Sequence, residues 1–156
     1  MQLRFNAVIR KRVQVAQMPP QRTIVKIGLA VMHDNRLLLV RKKGGQSYIL
    51  PGGKPEEGED DCQALHREID EELGCSIDPQ SIIFLGAFSD VAADLRNTVV
   101  VVRLYGAKLV GAPAPKSEIE SLTWFAPESE QVTLAPSIQN HILPFLQSTG
   151  RLSTIN

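Results

Sequence analysis

The segment from Arg67 to Gly74, REIDEELG, constrains the fold of this chain more than any other. It ends a helical pattern running from about Asp60 to Leu73, and Gly74 suits the left-handed position that follows a helix. Glu68 stands three residues from Glu71 and four from Glu72, the spacings at which helix side chains face one another. Like charges so placed destabilise a helix by roughly 0.2–0.5 kcal/mol per pair. They also crowd the last turn, where the macrodipole favours cations. Two local rules break in one turn, and such breaks mark functional sites.

The helical wheel gives the geometry. At about 100° per residue, with Glu68 at zero, Glu71 falls near 300° and Glu72 near 40°. Cys62, Leu65, Ile69 and Leu73 fall between about 60° and 140° and form the stripe for the core. Ala64 falls at about 320°, inside the acidic arc, where a small side chain leaves room for a ligand. Arg67 and Asp70 point elsewhere. The helix is therefore expected to carry three carboxylates along one edge of its buried face.

The flanking sequence supplies strands. TIVKIGLAVMHDNRLLLVRKK reads as a hairpin, two apolar runs broken by His33-Asp34-Asn35-Arg36. GGQSYILPGGKPEEGEDD reads as a loop with a short strand at Tyr48–Leu50. IIFLGAFS, TVVVVRLYGAKLV and SLTWFA read as further strands, with SDVAADLRN and GAPAPKSEIE as connections. APSIQNHILPFLQ has Ile138, Ile142, Leu143 and Leu146 at helical spacing, with Pro144 set to kink or shorten that helix. Interleaved strands and helices imply a sheet covered by helices, in the mixed α/β class. The expected organisation is a single domain over residues 18–150 and a C-terminal tail over 151–156. Residues 1–17 form an N-terminal extension with three uses open: an edge strand, pairing with another subunit in a homodimer, or a loose segment.

Composition excludes several classes. Lys+Arg and Asp+Glu number 17 each, so no overall charge argues for a nucleic acid or membrane partner. The acid cluster is a local feature. No apolar run reaches the roughly 20 residues that span a bilayer, and the N-terminus lacks the apolar core of a signal peptide, so a cytoplasmic location is expected. Cys62 and Cys75 have no zinc or redox spacing and are expected to be reduced, mostly buried thiols. His33, His66 and His141 are scattered.

An exposed acidic face usually interleaves Lys or Arg at i+4, and this arc has none. Gly52-Gly53, after a strand, permits close approach of backbone to a ligand. Oxygen ligands without His or Cys suit a hard cation, Mg²⁺ or Mn²⁺. Magnesium held by a few carboxylates is completed by water and substrate phosphates, which points to cleavage of a phosphoanhydride.

Gly53, five residues, Glu59, seven residues and then REIDEELGC resembles the box of the Nudix (MutT-type) hydrolases. That pattern is G, five residues, E, seven residues, R-E-U-x-E-E-x-G-U, with U a bulky aliphatic. Every fixed position is met; only Cys75 departs, by being small. LPGGK before the box and EIESLTWF after it also look like the family. The resemblance implies a Nudix fold, a mixed β-sheet sandwiched between α-helices, with this loop and helix at its edge. It implies a Mg²⁺- or Mn²⁺-dependent pyrophosphohydrolase with a small nucleotide as substrate.

By residue, the resemblance makes Glu68, Glu71 and Glu72 metal-binding, one of them or another carboxylate being the general base. Arg67 holds a glutamate in place. Glu59 buttresses the loop and assists the metal site, and the carbonyl of Gly52 or Gly53 is a further ligand. Outside the box, Arg41 is a candidate phosphate contact or an exposed strand-end arginine. Glu118, with Glu120 as competitor, is a candidate further carboxylate. Tyr48 is a candidate base-stacking residue or a half-buried strand tyrosine.

Small members of the family often convert nucleoside triphosphates to the monophosphate and pyrophosphate, which is the favoured expectation. ADP-ribose or another nucleotide sugar is the alternative, and AFSDVAADLRN lacks the proline associated with ADP-ribose enzymes. A non-hydrolytic nucleotide-binding module would be expected to lose box glutamates, and none is lost. Isopentenyl diphosphate isomerisation would need a cysteine outside the box.

Overall fold

The computed structural model describes residues 21–128 and 131–153. The segment 1–17, expected as an edge strand, a dimer contact or a loose extension, lies outside them. The first strands are β1 (Arg22–Ala30), β2 (Met32–His33), β3 (Arg36–Lys42) and β4 (Gly52–Gly53). Helix α1 (Asp61–Leu73) follows, then β5 (Ser76–Ile77), β6 (Ile83–Val91), β7 (Thr98–Gly106) and β8 (Leu109–Val110). β9 (Ile119–Phe125) and a C-terminal helix, α2 (Leu143–Ser148), complete the described chain.

One sheet has the order β4-β1-β7-β6, a second β2-β3-β9 and a third β5-β8. β1 and β7 are parallel, with Arg22 opposite Thr98 and Ala30 opposite Gly106; the other pairs are antiparallel. α1 and α2 cover opposite faces. β3 shows why its sequence is apolar throughout: Leu37 and Leu39 pack into the cluster with Ile138, Ile142 and Leu146. Leu38 and Val40 pack into the cluster with Leu65, Ile69 and Leu73 of α1. A strand buried on both faces cannot alternate with polar residues. Each such side chain contributes about 1.5–3 kcal/mol by leaving water. This is the mixed sheet between helices that the sequence implies.

Several elements differ from their sequence reading. Asp34 and Asn35 take φ of 49° and 55°, the left-handed pair that a type I′ turn needs. The arms then separate. Only Met32 and His33 pair with Leu37 and Arg36, while β1 leaves to lie along β7 and β3 to lie along β9. The hairpin is thus a bridge between two sheets. Tyr48–Leu50 forms no strand, only single bridges from Tyr48 to Leu134 and from Ile49 to Val40. β6 runs on through Asp90 and Val91, and TVVVVRLYGAKLV is divided at Gly106, with Leu109–Val110 pairing to β5.

The C-terminal helix opens with a π-helical turn, Ile138–Ile142, before Pro144. A proline lacks an N–H and clashes with the carbonyl four residues back, and a wider turn relieves both. Leu152 is fully buried, and Ser153 exchanges hydrogen bonds with the Asn35 side chain, so packing continues beyond residue 150.

On α1 two expectations are corrected. Ala64 is fully buried in the core and leaves no room for a ligand. Cys62, expected inside, is exposed, whereas Cys75 is buried. The first turn of α1 is drawn to a polar patch: Arg103 Nε donates to Asp61 Oδ2 at 2.7 Å and Tyr105 Oη donates to the same oxygen at 2.6 Å. The buried apolar face therefore begins at Ala64 and Leu65.

Candidate functional site

The site forms where α1 meets the glycine strand β4. Gly52 and Gly53 pair with Gly28 and Ile27 of β1, which pins the loop against the sheet. A side chain at Gly53 would collide with the Glu68 carboxylate, so glycine here admits Glu68 to the backbone. The close approach expected of this Gly-Gly pair is real, and the group that uses it is the chain's own glutamate.

Glu68 and Glu72 are buried, at 9% and 1% exposure, which no solvated acidic face would show. The Gly52 N–H donates to Glu72 Oε2 at 3.2 Å. Glu72 Oε1 is buried and has no hydrogen-bond partner among the described residues. An ionised carboxylate in that position is expensive. Burial pushes the Glu72 carboxyl up to about 8, against the pull of the Gly52 N–H and with a further push from Glu68. Burial also raises Glu68, outweighing the opposing bond from Arg67.

Arg67 does not point away as its wheel angle suggests. Its long side chain folds back along the loop. Nε donates to Glu59 at 2.9 Å, Nη1 to Glu68 at 3.1 Å and to Glu71 at 3.3 Å, and Nη2 to the Lys54 carbonyl at 3.2 Å. Arg67 thus ties the loop to the helix and fixes the Glu68 carboxylate. Glu59 is held below the usual carboxylate range by that guanidinium and also accepts the Glu56 N–H. Glu71 is half exposed and leans to Arg67.

The structure therefore brings Glu68 and Glu72 together over Gly52-Gly53 and leaves Glu59 and Glu71 on the guanidinium. Among the described residues no three His, Cys, Asp or Glu side chains form a ready cage for a metal ion. Two adjacent buried carboxylates, one with an orphan oxygen, nevertheless fit a hard divalent cation, which would supply the missing partner and favour the charged forms.

The residues outside the box fall into two groups. Arg41 donates to Glu120 at 2.8 Å and to the Gly45 carbonyl at 3.2 Å, with its guanidinium 5.9 Å from the centre of the Tyr48 ring. Tyr48 bonds Ser121 through its hydroxyl at 3.1 Å. Neither lines the cavity next to the carboxylates. Lys42, the next residue on β3, does line it and pairs with Glu118 at 3.2 Å.

That cavity, about 390 Å³, is bordered by Gly52 and has no residue of α1 in its lining. Ile24, Gly28, Leu50, Val100, Val102 and Ile138 make its apolar walls. Its loop wall is closed by Asp94, whose carboxylate accepts the N–H groups of Gln46 and Ser47 at 3.1 and 3.4 Å. A cleft of this size with a few polar groups suits a small molecule. Sequence reading passed over Lys26 in its floor, although a lysine inside the apolar run TIVKIGLA was a visible irregularity.

A family model described as the NUDIX domain matches residues 23–146. A MutT-like protein of Streptomyces ambofaciens is 25% identical over 137 residues, covering 88% of this chain and 85% of that protein. The crystal structure of a MutT NUDIX hydrolase from Burkholderia pseudomallei superposes with a TM-score of 0.65 at 27% identity, covering 76% of this chain and 95% of the other. A nudix hydrolase family member from Chromobacterium violaceum gives a TM-score of 0.58 at 25% identity, covering 85% and 80%.

Proposed function

Because the chain belongs to the Nudix family and is a Nudix hydrolase, we propose that it is a Mg²⁺- or Mn²⁺-dependent pyrophosphohydrolase of nucleoside triphosphates. Water attacks one phosphorus of the bond between the α and β phosphoryl groups. That P–O bond breaks, and monophosphate and pyrophosphate leave. The observation that carries this reading is the pair of buried carboxylates, Glu68 and Glu72, with one oxygen of Glu72 lacking a partner among the described residues.

Glu68 and Glu72 would hold the cation, joined by Glu71 and by a carbonyl of the Gly52-Gly53 strand. Bound there, it neutralises phosphoryl charge and makes water more acidic. The chain does the rest. Arg67 holds Glu68 in place, and the Gly52 N–H holds Glu72. A carboxylate of the cluster takes the proton of the attacking water. The neighbouring cavity receives the nucleoside and keeps bulk water from it.

A phosphate- and pyrophosphate-release screen across nucleoside triphosphates, nucleotide sugars and dinucleotides tests this, with Mg²⁺, Mn²⁺ and excess chelator compared. The expected result is turnover of a nucleoside triphosphate that chelator abolishes. Turnover persisting in chelator overturns the metal-site reading, and a preference for nucleotide sugars overturns the substrate.

A further inference from the structure

Lys26 is the one residue of the cavity floor that breaks its apolar character. It stands mid-strand on β1, between Ile24 and Gly28, and faces the cavity with them. Across the parallel ladder its partner is Val102. Its ammonium makes no hydrogen bond or ion pair to another described residue, although the side chain is half-buried.

Two further lysines act on its ammonium. The β1–β4 register pairs Ile27 with Gly53 and Gly28 with Gly52; continued by one residue it sets Lys54 opposite Lys26. Like charges directly opposite on neighbouring strands destabilise a sheet. Lys42 lines the same cavity. Burial, followed by the ammonium groups of Lys42 and Lys54, pulls Lys26 below the ordinary lysine range, and Glu72 and Glu118 offset this only in part. A chain under no functional constraint would place valine or isoleucine here, as it does at the flanking positions. An anion arriving from solution would satisfy the ammonium and relieve the repulsion together.

We propose that Lys26 grips the phosphoryl group on the cavity side of the scissile anhydride. Gly52 borders both, since its N–H donates to Glu72 and it lines the cavity with Lys26, so an anhydride spanning Gly52 puts one phosphoryl group at the carboxylates and the next at Lys26. Lys26 is then a substrate-binding residue: it holds the second phosphoryl group of the anhydride while the first lies at the carboxylates. This rests on the pyrophosphohydrolase reading above.

Calorimetric titration with inorganic pyrophosphate, in Mg²⁺ and in chelator, tests the assignment on the parent, Lys26→Met and Lys26→Arg. Methionine keeps the apolar stem and removes the charge. The expected result is binding by the parent, at least about tenfold weaker binding by Lys26→Met, and Lys26→Arg within about threefold of the parent. Lys26→Met should melt at or above the parent temperature. Equal binding by Lys26→Met and parent overturns the proposal, as does a parent that binds no pyrophosphate under either condition. Equal loss in Lys26→Arg, with both variants melting lower, marks a structural role and overturns it too. If Lys26→Met binds normally while chelator still abolishes turnover, Lys26 loses its role and the hydrolase reading stands. Turnover surviving in chelator removes the metal-site reading whatever Lys26 does.

Discussion

Glu72 concentrates the conflict between stability and function in one side chain. Its native pKa, about 8, lies above the ordinary 4.5, so the folded state holds the proton that the unfolded state releases. Stability of the metal-free protein therefore falls as pH rises through that window, by an amount of the order of a few kcal/mol. Burial of Glu68 adds in the same direction. Glu72→Gln removes the titration while keeping the acceptor for the Gly52 N–H. At pH 5 the two proteins should melt at similar temperatures in chelator, since a neutral Glu72 resembles glutamine. At pH 8.5 the variant should melt higher, and its turnover with saturating Mg²⁺ should drop by orders of magnitude. Parental turnover, or a melting difference that does not grow with pH, would refute this assignment. The helical wheel already held part of the answer. Of the three glutamates, Glu72 lies nearest the apolar stripe and Glu71 farthest from it, and the first is buried while the second leans on Arg67.

Helix α1 has both ends written in its sequence. Asp60 accepts the Gln63 N–H at 2.8 Å and Gln63 Oε1 accepts the Asp60 N–H at 2.9 Å, a reciprocal cap. Gly74 ends the helix at φ 65°, and its N–H donates to the Asp70 carbonyl. The Asp60–Gln63 cap shares no hydrogen bond with the carboxylate pair, so stability and chemistry can be separated at this end. Asp60→Ala should cost about 1 kcal/mol and lower the melting temperature by roughly 2–4 °C, with turnover at room temperature unchanged. Heat denaturation followed by circular dichroism, alongside the turnover assay, checks both halves. A large loss of turnover in the folded variant would mean that the helix start positions the site more tightly than its contacts show.

At the scale of the molecule, the site depends on two cores sharing one set of strands. β1 and β3 send alternate side chains to the α1 core and the α2 core, so Gly52-Gly53, Lys26 and the carboxylates are held by packing on both sides. The family match begins at residue 23, after the N-terminal segment. A chain beginning at Pro19 is therefore expected to retain turnover on whatever substrate the screen identifies. Loss of turnover in a shortened chain that still melts cooperatively would place part of the substrate site in the first 18 residues.

The local features of this protein were legible because they depend on neighbours along the chain. Periodicity marked α1, Gly74 marked its C-terminal end, the polar run His33–Arg36 marked the turn after β2, and spacing marked the glutamates. The features missed are those set by residues far apart in sequence. The hairpin opens because β1 gains a nine-residue parallel partner in β7 and β3 gains β9, pairings whose worth lies in both strands at once. Cys62 stays outside because Asp61 is claimed by Arg103 and Tyr105. Arg67 turns back because Glu59 and the Lys54 carbonyl wait on a loop that no wheel includes. Lys26 matters only once Gly52, Lys42 and the walls of the cavity surround it. Sequence patterns record which face a side chain takes on its own element; burial and charge environment depend on what the rest of the chain brings to that face, and only the tertiary structure decides that.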